Sequence, residues 1–119
     1  MTDDRLTVVF YIDRLRLMPR LSSATALVLD ALARGNRHGF DILDATGLAS
    51  GTVYPILRRL EQDGLATSRW ESAKVAQEEQ RPPRRYYVLT RDGQARVEEA
   101  RARFPILAAM APRQGMRRA

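Results

Sequence analysis

The alternation of apolar and polar positions divides the chain into short elements punctuated by glycine and proline. Ala26, Leu27, Leu29 and Leu32 recur at helical spacing, with Ser22 or Ser23 as N-cap and Gly35-Asn36 as the stop. A second, shorter helix is expected from about Gly39 to Thr46, with Phe40 and Leu43 facing inward and Gly47 breaking it. Only the turn Gly47–Ala49 separates it from "SGTVYPILRRLEQDG" (50–64). Ser50 is a good N-cap for a third helix, whose buried stripe is Val53, Ile56, Leu57 and Leu60. Gly51, Pro55, Arg58 and Gln62 lie opposite, with Thr52 and Arg59 on one flank and Tyr54 and Glu61 on the other. Pro55 falls where the regular bonds are just beginning, so it costs about one hydrogen bond. Gly64 ends the helix.

The period then changes. "LATSRWE" (65–71) and "RRYYVLT" (84–90) read as strands, joined by "SAKVAQEEQRPP" (72–83), too long for a tight hairpin. Three helices followed by a hairpin with a charged loop make a helix-turn-helix with a wing. The expected fold is mainly α with a small two-stranded β-wing over residues 21–90. Lys74, Arg81, Arg84 and Arg85 sit on or beside the loop, and Glu78 and Glu79 share its tip, so cationic contacts come mainly from the wing's base. Tyr86 and Tyr87 alternate, one for the core and one for the surface. Trp70 reads as a core or interface residue.

Both ends are apolar. In "RLTVVFYIDRLRLM" (5–18), Val8, Ile12 and Leu15 fit helical spacing, while TVVFYI also suits a strand; the helix is preferred for this N-terminal extension (1–20), and Pro19 ends it either way. From the N-cap Thr90, a helix over 91–111 carries Val97, Ala100, Phe104, Leu107 and Ala111 at spacings of three and four, with Pro105 kinking or interrupting it. That seam serves either a second copy or the chain's own core. A joint dimer interface of Val8, Ile12, Leu15, Val97, Ala100, Phe104 and Leu107 is the preferred reading. Residues 112–119 read as a disordered basic tail.

Composition narrows the chemistry. The 119 residues suit one domain with a modest core that dimerisation would help. The net charge is +6, and 19 of the 20 cations are Arg, whose planar donor fork suits phosphates and base edges but also tracks genome composition. Without Cys there are no disulfides and no thiolate chemistry. No apolar run reaches membrane-spanning length and no signal-peptide pattern is present, so a cytoplasmic protein is expected. His38 is the single histidine, and no GxGxxG or Walker loop occurs. The adjacent pairs Glu78–Glu79 and Glu98–Glu99 lie on a loop and a solvated helix face. No enzymatic activity, cofactor or metal is expected.

The phrases "GTVYPILRRLEQDGL" and "PRRYYVLTRDG", at their separation here, resemble the PadR family of bacterial transcriptional regulators. The resemblance runs from about Ser22 to Gly93. It implies a homodimeric winged helix that binds an inverted repeat near promoters, usually as a repressor, with a C-terminal helix forming much of the dimer interface. Larger members have a longer C-terminal region than the thirty or so residues after Thr90, and residues 1–20 match no family motif.

In such a fold the third helix enters the major groove. Ser50, Thr52 and the backbone near Gly51 suit a phosphate at the helix start. Tyr54 can donate to a phosphate, Pro55 can touch a thymine methyl, and Arg58 can reach a guanine or a phosphate. Arg59 suits a phosphate. Arg81, Arg84 and Lys74 suit the adjacent backbone or minor groove. His38, with Gly39 beside it, reads as a phosphate contact or a cap. The expected partners are double-stranded DNA and a second copy, with any small-molecule effector unidentified. The rival is a winged-helix interaction module that binds a protein or RNA.

Overall fold

The computed structural model describes residues 20–109. The expectations for Val8, Ile12 and Leu15, and for the tail at 112–119, fall outside them. Three helices come first: α1 (Ser23–Ala33), α2 (Gly39–Thr46) and α3 (Ser50–Gln62). Strand β1 (Ala66–Trp70), a short helix α4 (Ala73–Glu78) and strand β2 (Arg85–Leu89) form the wing. Helices α5 (Arg91–Arg103) and α6 (Ile106–Ala109) close the described chain. The architecture is a winged helix, mainly α with one two-stranded antiparallel sheet.

Helix α1 is the hub, packing against α2, α3 and most extensively α5. Ser22 caps it, its hydroxyl accepting from the Thr25 N–H at 3.1 Å. Val28 and Leu29 meet Ile42 of α2, Val53 and Leu57 of α3 and Val97 of α5 in one fully buried cluster. Each such side chain contributes roughly 1.5–3 kcal/mol by leaving water. Asp30 is buried among them, and its carboxylate accepts from Arg34 at 2.7 Å and from Arg101 of α5 at 2.9 Å. That bridge fixes α5 across α1.

The turn between α2 and α3 depends on Gly47, at φ +72°, whose N–H returns to the Leu43 carbonyl at 2.8 Å. Gly64, at φ +74°, ends α3 in a Schellman turn: Leu65 N–H bonds the Leu60 carbonyl at 2.8 Å and Gly64 N–H bonds Glu61 at 3.1 Å. Two expected details change here. Ala49 is the N-cap of α3 and Ser50 its first residue. Ile42, not Phe40, fills the core from α2, and Phe40 is 71% exposed.

The wing loop is also more ordered than its polar composition suggests. Ser72 caps α4 by accepting from the Val75 N–H at 3.2 Å, and Ala76 is its one buried residue. Downstream, α5 stops at Arg103 because Phe104, preceding Pro105, leaves helical geometry at φ −122°, ψ 78°. Val97, Ala100 and Leu107 are buried in the protomer's own core, with Phe104 partly buried against it. The seam expected to meet a second copy is therefore closed against the chain itself, and those three side chains are not available to a partner.

Candidate nucleic-acid interface

Helix α3 is held by its stripe of Val53, Ile56, Leu57 and Leu60, each at most 8% exposed. Everything opposite is turned outward: Gly51, Thr52, Pro55, Arg58, Arg59 and Gln62 are all exposed. The first helical N–H groups stand next to Ala49, which brings no side-chain acceptor, so the N-terminus of α3 is open to an anion. Arg58 and Arg59 form no ion pair with any described residue. Their nearest carboxylate in sequence is spent elsewhere: Glu61 accepts from Ser68 at 2.6 Å and from Arg85 at 3.2 Å. The cationic face of α3 is thus uncompensated, and the same bonds fasten α3 to the wing.

The wing's register explains its shape. Ala66 pairs with Leu89, Ser68 with Tyr87 and Trp70 with Arg85, so these residues share one face of the sheet. Ala66 and Tyr87 are buried, whereas Trp70, at the far end, is 63% exposed. The face leaves the core as the wing rises beyond α3. The result is a cleft of about 520 Å³ between α3 and the wing's base, lined by Tyr54, Arg58, Trp70, Arg84 and Arg85 among others.

Glu71 organises that base. It accepts from Arg81 through both guanidinium nitrogens at 2.5 and 2.9 Å, from the Tyr86 hydroxyl at 3.0 Å and from the Arg84 N–H at 3.4 Å. The Arg81 guanidinium and these other donors hold its carboxyl down at about 2, from an ordinary 4.5. Arg81 is therefore committed inside the wing, in place of the expected phosphate contact. Arg84 forms no ion pair among the described residues, and Lys74 is exposed on α4.

Gly39 differs from expectation, and of the two readings of His38 the structure has the cap position. His38 holds the N-cap position of α2 without a side-chain cap bond and is 8% exposed. Its Nε2 lies 2.9 Å from Asp41 and its ring meets Tyr86 edge-on at 5.7 Å. Gly39 is buried against Tyr54: a Cβ there would lie 2.2 Å from the Tyr54 hydroxyl. Both residues are buried and position the helix-turn-helix, touching only the wall of the cleft. Sequence reasoning passed over Trp70 and Glu61 as partners of this face. Strand alternation carried the signal, because a buried Tyr87 puts Arg85 and its cross-strand partner on the α3 side.

Two groups give the protein an acid profile in two stages. Burial pushes the His38 imidazole below its ordinary 6.5, against the pull of Asp41 and with help from Arg84 and Arg81. The folded state then takes up its proton later than the unfolded chain, so stability falls as pH drops below 6.5. Glu71 has the depressed-carboxylate sign: its contribution is whole above 4.5 and is lost as pH falls from there towards about 2. Thermal midpoints followed from neutral pH to about 3 should fall first in the His38 range, and His38→Gln should remove that first stage.

Among the described residues no group of three or more His, Cys, Asp or Glu is arranged to hold a metal ion, and no helix is long and apolar enough to cross a membrane. None of the curated proteins matches the sequence. Among solved structures, the fold is similar to a PadR family transcription regulator from Clostridium difficile, at TM-score 0.61 and 22% identity over 74% of this chain and 93% of that one. It is similar to a PadR-like transcription factor from Bacteroides fragilis, at TM-score 0.56 and 25% identity over 87% and 93%. It is also similar to Bordetella bronchiseptica BpsR, a protein whose DNA binding is regulated by 6-hydroxynicotinic acid, at TM-score 0.60 and 23% identity over 88% and 77%. The family model described as "Transcriptional regulator PadR-like family" matches residues 28–99, more than half of the chain. With its open cationic α3 beside a wing, the chain belongs to the PadR-like family of transcriptional regulators.

Proposed function

We propose that the protein is a homodimeric, cytoplasmic repressor that binds an inverted-repeat operator. Helix α3 enters the major groove, and the wing's base lies along the backbone or minor groove. The observation that carries this reading is the outer face of α3, where Arg58 and Arg59 have no ion-pair partner among the described residues beside the exposed Gly51, Thr52 and Pro55. Arg58 is assigned a base edge, Arg59 and Arg84 phosphates, and the open start of α3 at Ser50 and Gly51 a further phosphate. Tyr54, 41% exposed at the flank, is assigned to the backbone.

A twofold dimer would set its two α3 helices about one duplex turn apart, roughly 34 Å. Since the α5 seam is used within the protomer, the partner contacts are assigned to the apolar run 5–18 and to Ile106, which is 67% exposed. Light scattering after gel filtration should give twice the chain mass.

The test is a fluorescence binding titration at two salt concentrations, comparing the gene's own upstream DNA with a scrambled duplex. A salt-sensitive preference of several kcal/mol for the upstream duplex, at one dimer per site, supports the reading. Equal binding to both duplexes, followed by no enrichment in a random-sequence selection, would overturn it.

Gly51 offers a sharper check. A Cβ added there meets nothing within 4 Å, so Gly51→Ala should leave the fold intact and raise its stability by up to about 1 kcal/mol through helix propensity. The methyl would still stand between the backbone and DNA, so duplex affinity should fall about tenfold while the thermal midpoint holds or rises. Unchanged affinity would remove Gly51 from the interface.

A further inference from the structure

The cleft between α3 and the wing carries more aromatic surface than a phosphate backbone requires. Phe40 is 71% exposed and Trp70 63% exposed, and both line it with Tyr54. Arg58 and Arg84 line it too, and neither forms an ion pair with a described residue. Arg85, 5.6 Å from the Trp70 ring centre, is already engaged by Glu61 at 3.2 Å. Ring surface and two unmatched guanidinium groups therefore share one concavity, and its volume of about 520 Å³ lies in the range of small-molecule sites.

Charge and shape narrow the occupant. An uncharged aromatic compound would leave both guanidinium groups unanswered. Inorganic phosphate would pair with them and leave the aromatic wall in water. A flat heteroaromatic ring joined to a doubly negative phosphate answers both, since bases stack on aromatic side chains and the guanidinium fork matches phosphate oxygens.

We propose that this cleft binds a free mononucleotide, its base against the Trp70 wall and its phosphate on Arg58 and Arg84. Arg58 also belongs to the outer face of α3, so the nucleotide and the duplex compete for it. That competition rests on the DNA-binding reading above; the nucleotide site itself does not.

Trp70 is the chain's single tryptophan, so its emission reports occupancy directly. The experiment titrates the full chain, without DNA, with guanosine and adenosine 5′-monophosphates. Guanosine and inorganic phosphate are the half-ligand controls. Saturable quenching by a mononucleotide is expected, with each half-ligand at least about tenfold weaker and Arg84→Ala reducing affinity about tenfold at an unchanged thermal midpoint. No saturable quenching up to about 10 mM, or quenching that both Arg84→Ala and Arg58→Ala leave unaltered, overturns the site. A single-stranded oligonucleotide that binds far more tightly than any free nucleotide overturns the free ligand and makes the cleft a strand-binding surface. A second titration, of duplex with nucleotide present, tests competition. If nucleotide binds and no duplex ever does, the DNA reading fails and the nucleotide site stands.

Discussion

Replacing Gly93 with alanine is expected to lower the thermal midpoint by roughly 10–20 °C, the equivalent of about 2–3 kcal/mol from overpacking in a domain of this size. A Cβ at Gly93 would lie 2.0 Å from the carbonyl oxygen of Leu65 and 3.0 Å from its carbon. Those are backbone atoms, and they are held from both sides. The Leu65 carbonyl accepts from the Thr90 N–H at 3.0 Å, and the Gly64 carbonyl accepts from the Thr90 hydroxyl at 2.7 Å. Thr90 in turn caps α5 by accepting from Gly93 N–H at 3.1 Å. Neither the end of α3 nor the start of α5 can retreat without breaking its own cap. Differential scanning calorimetry of Gly93→Ala beside Gly51→Ala isolates the effect, because the second glycine has open space around it. A Gly93→Ala midpoint within about 2 °C of the parent would show that the contact yields easily.

The second large effect concerns recognition. Arg58→Ala should reduce preference for the operator over random duplex by about 1–3 kcal/mol, the usual worth of a bidentate base contact. Arg84→Ala should behave differently: binding to every duplex weakens alike, and the salt slope falls by about one. The contrast follows from position, since Arg58 stands on the outer face of α3 whereas Arg84 lies at the wing's base. Fluorescence titrations of both variants across a salt series read the two patterns separately. An Arg58→Ala protein with full operator preference would take that residue out of base readout.

Helix α3 was legible because Val53, Ile56, Leu57 and Leu60 keep one strict period against a polar remainder, and all four are buried. The strands were legible for a similar reason, with Ala66 and Tyr87 turned in while Thr67 and Val88 turn out. Helix α4 was not, because a single buried alanine in a polar segment leaves no period to detect. Phe40 misled because hydrophobicity alone does not reveal which side of a short helix the rest of the fold covers; Ile42 takes the core position. The α5 seam misled in another way. Spacing identifies a face that needs covering, but α1 covers it within the same chain. Arg81 was read as a phosphate contact, and His38 as a phosphate contact or a cap, because their partners, Glu71 and Asp41 with Tyr86, depend on how the wing and α2 fold locally.

One backbone bond has a consequence for how copies of this protein meet in a crowded solution. The Tyr87 N–H of β2 donates to the Arg37 carbonyl, in the segment between α1 and α2, at 2.7 Å. With β1 on its other side, β2 has part of its outer edge covered by this bond, so the two-stranded wing has one edge freer than the other. The freer edge belongs to β1, which is five residues long and carries the exposed Arg69. A short edge bearing a charge is a poor template for a foreign strand. The wing can therefore project from the core without inviting the edge-to-edge stacking that leads to aggregation.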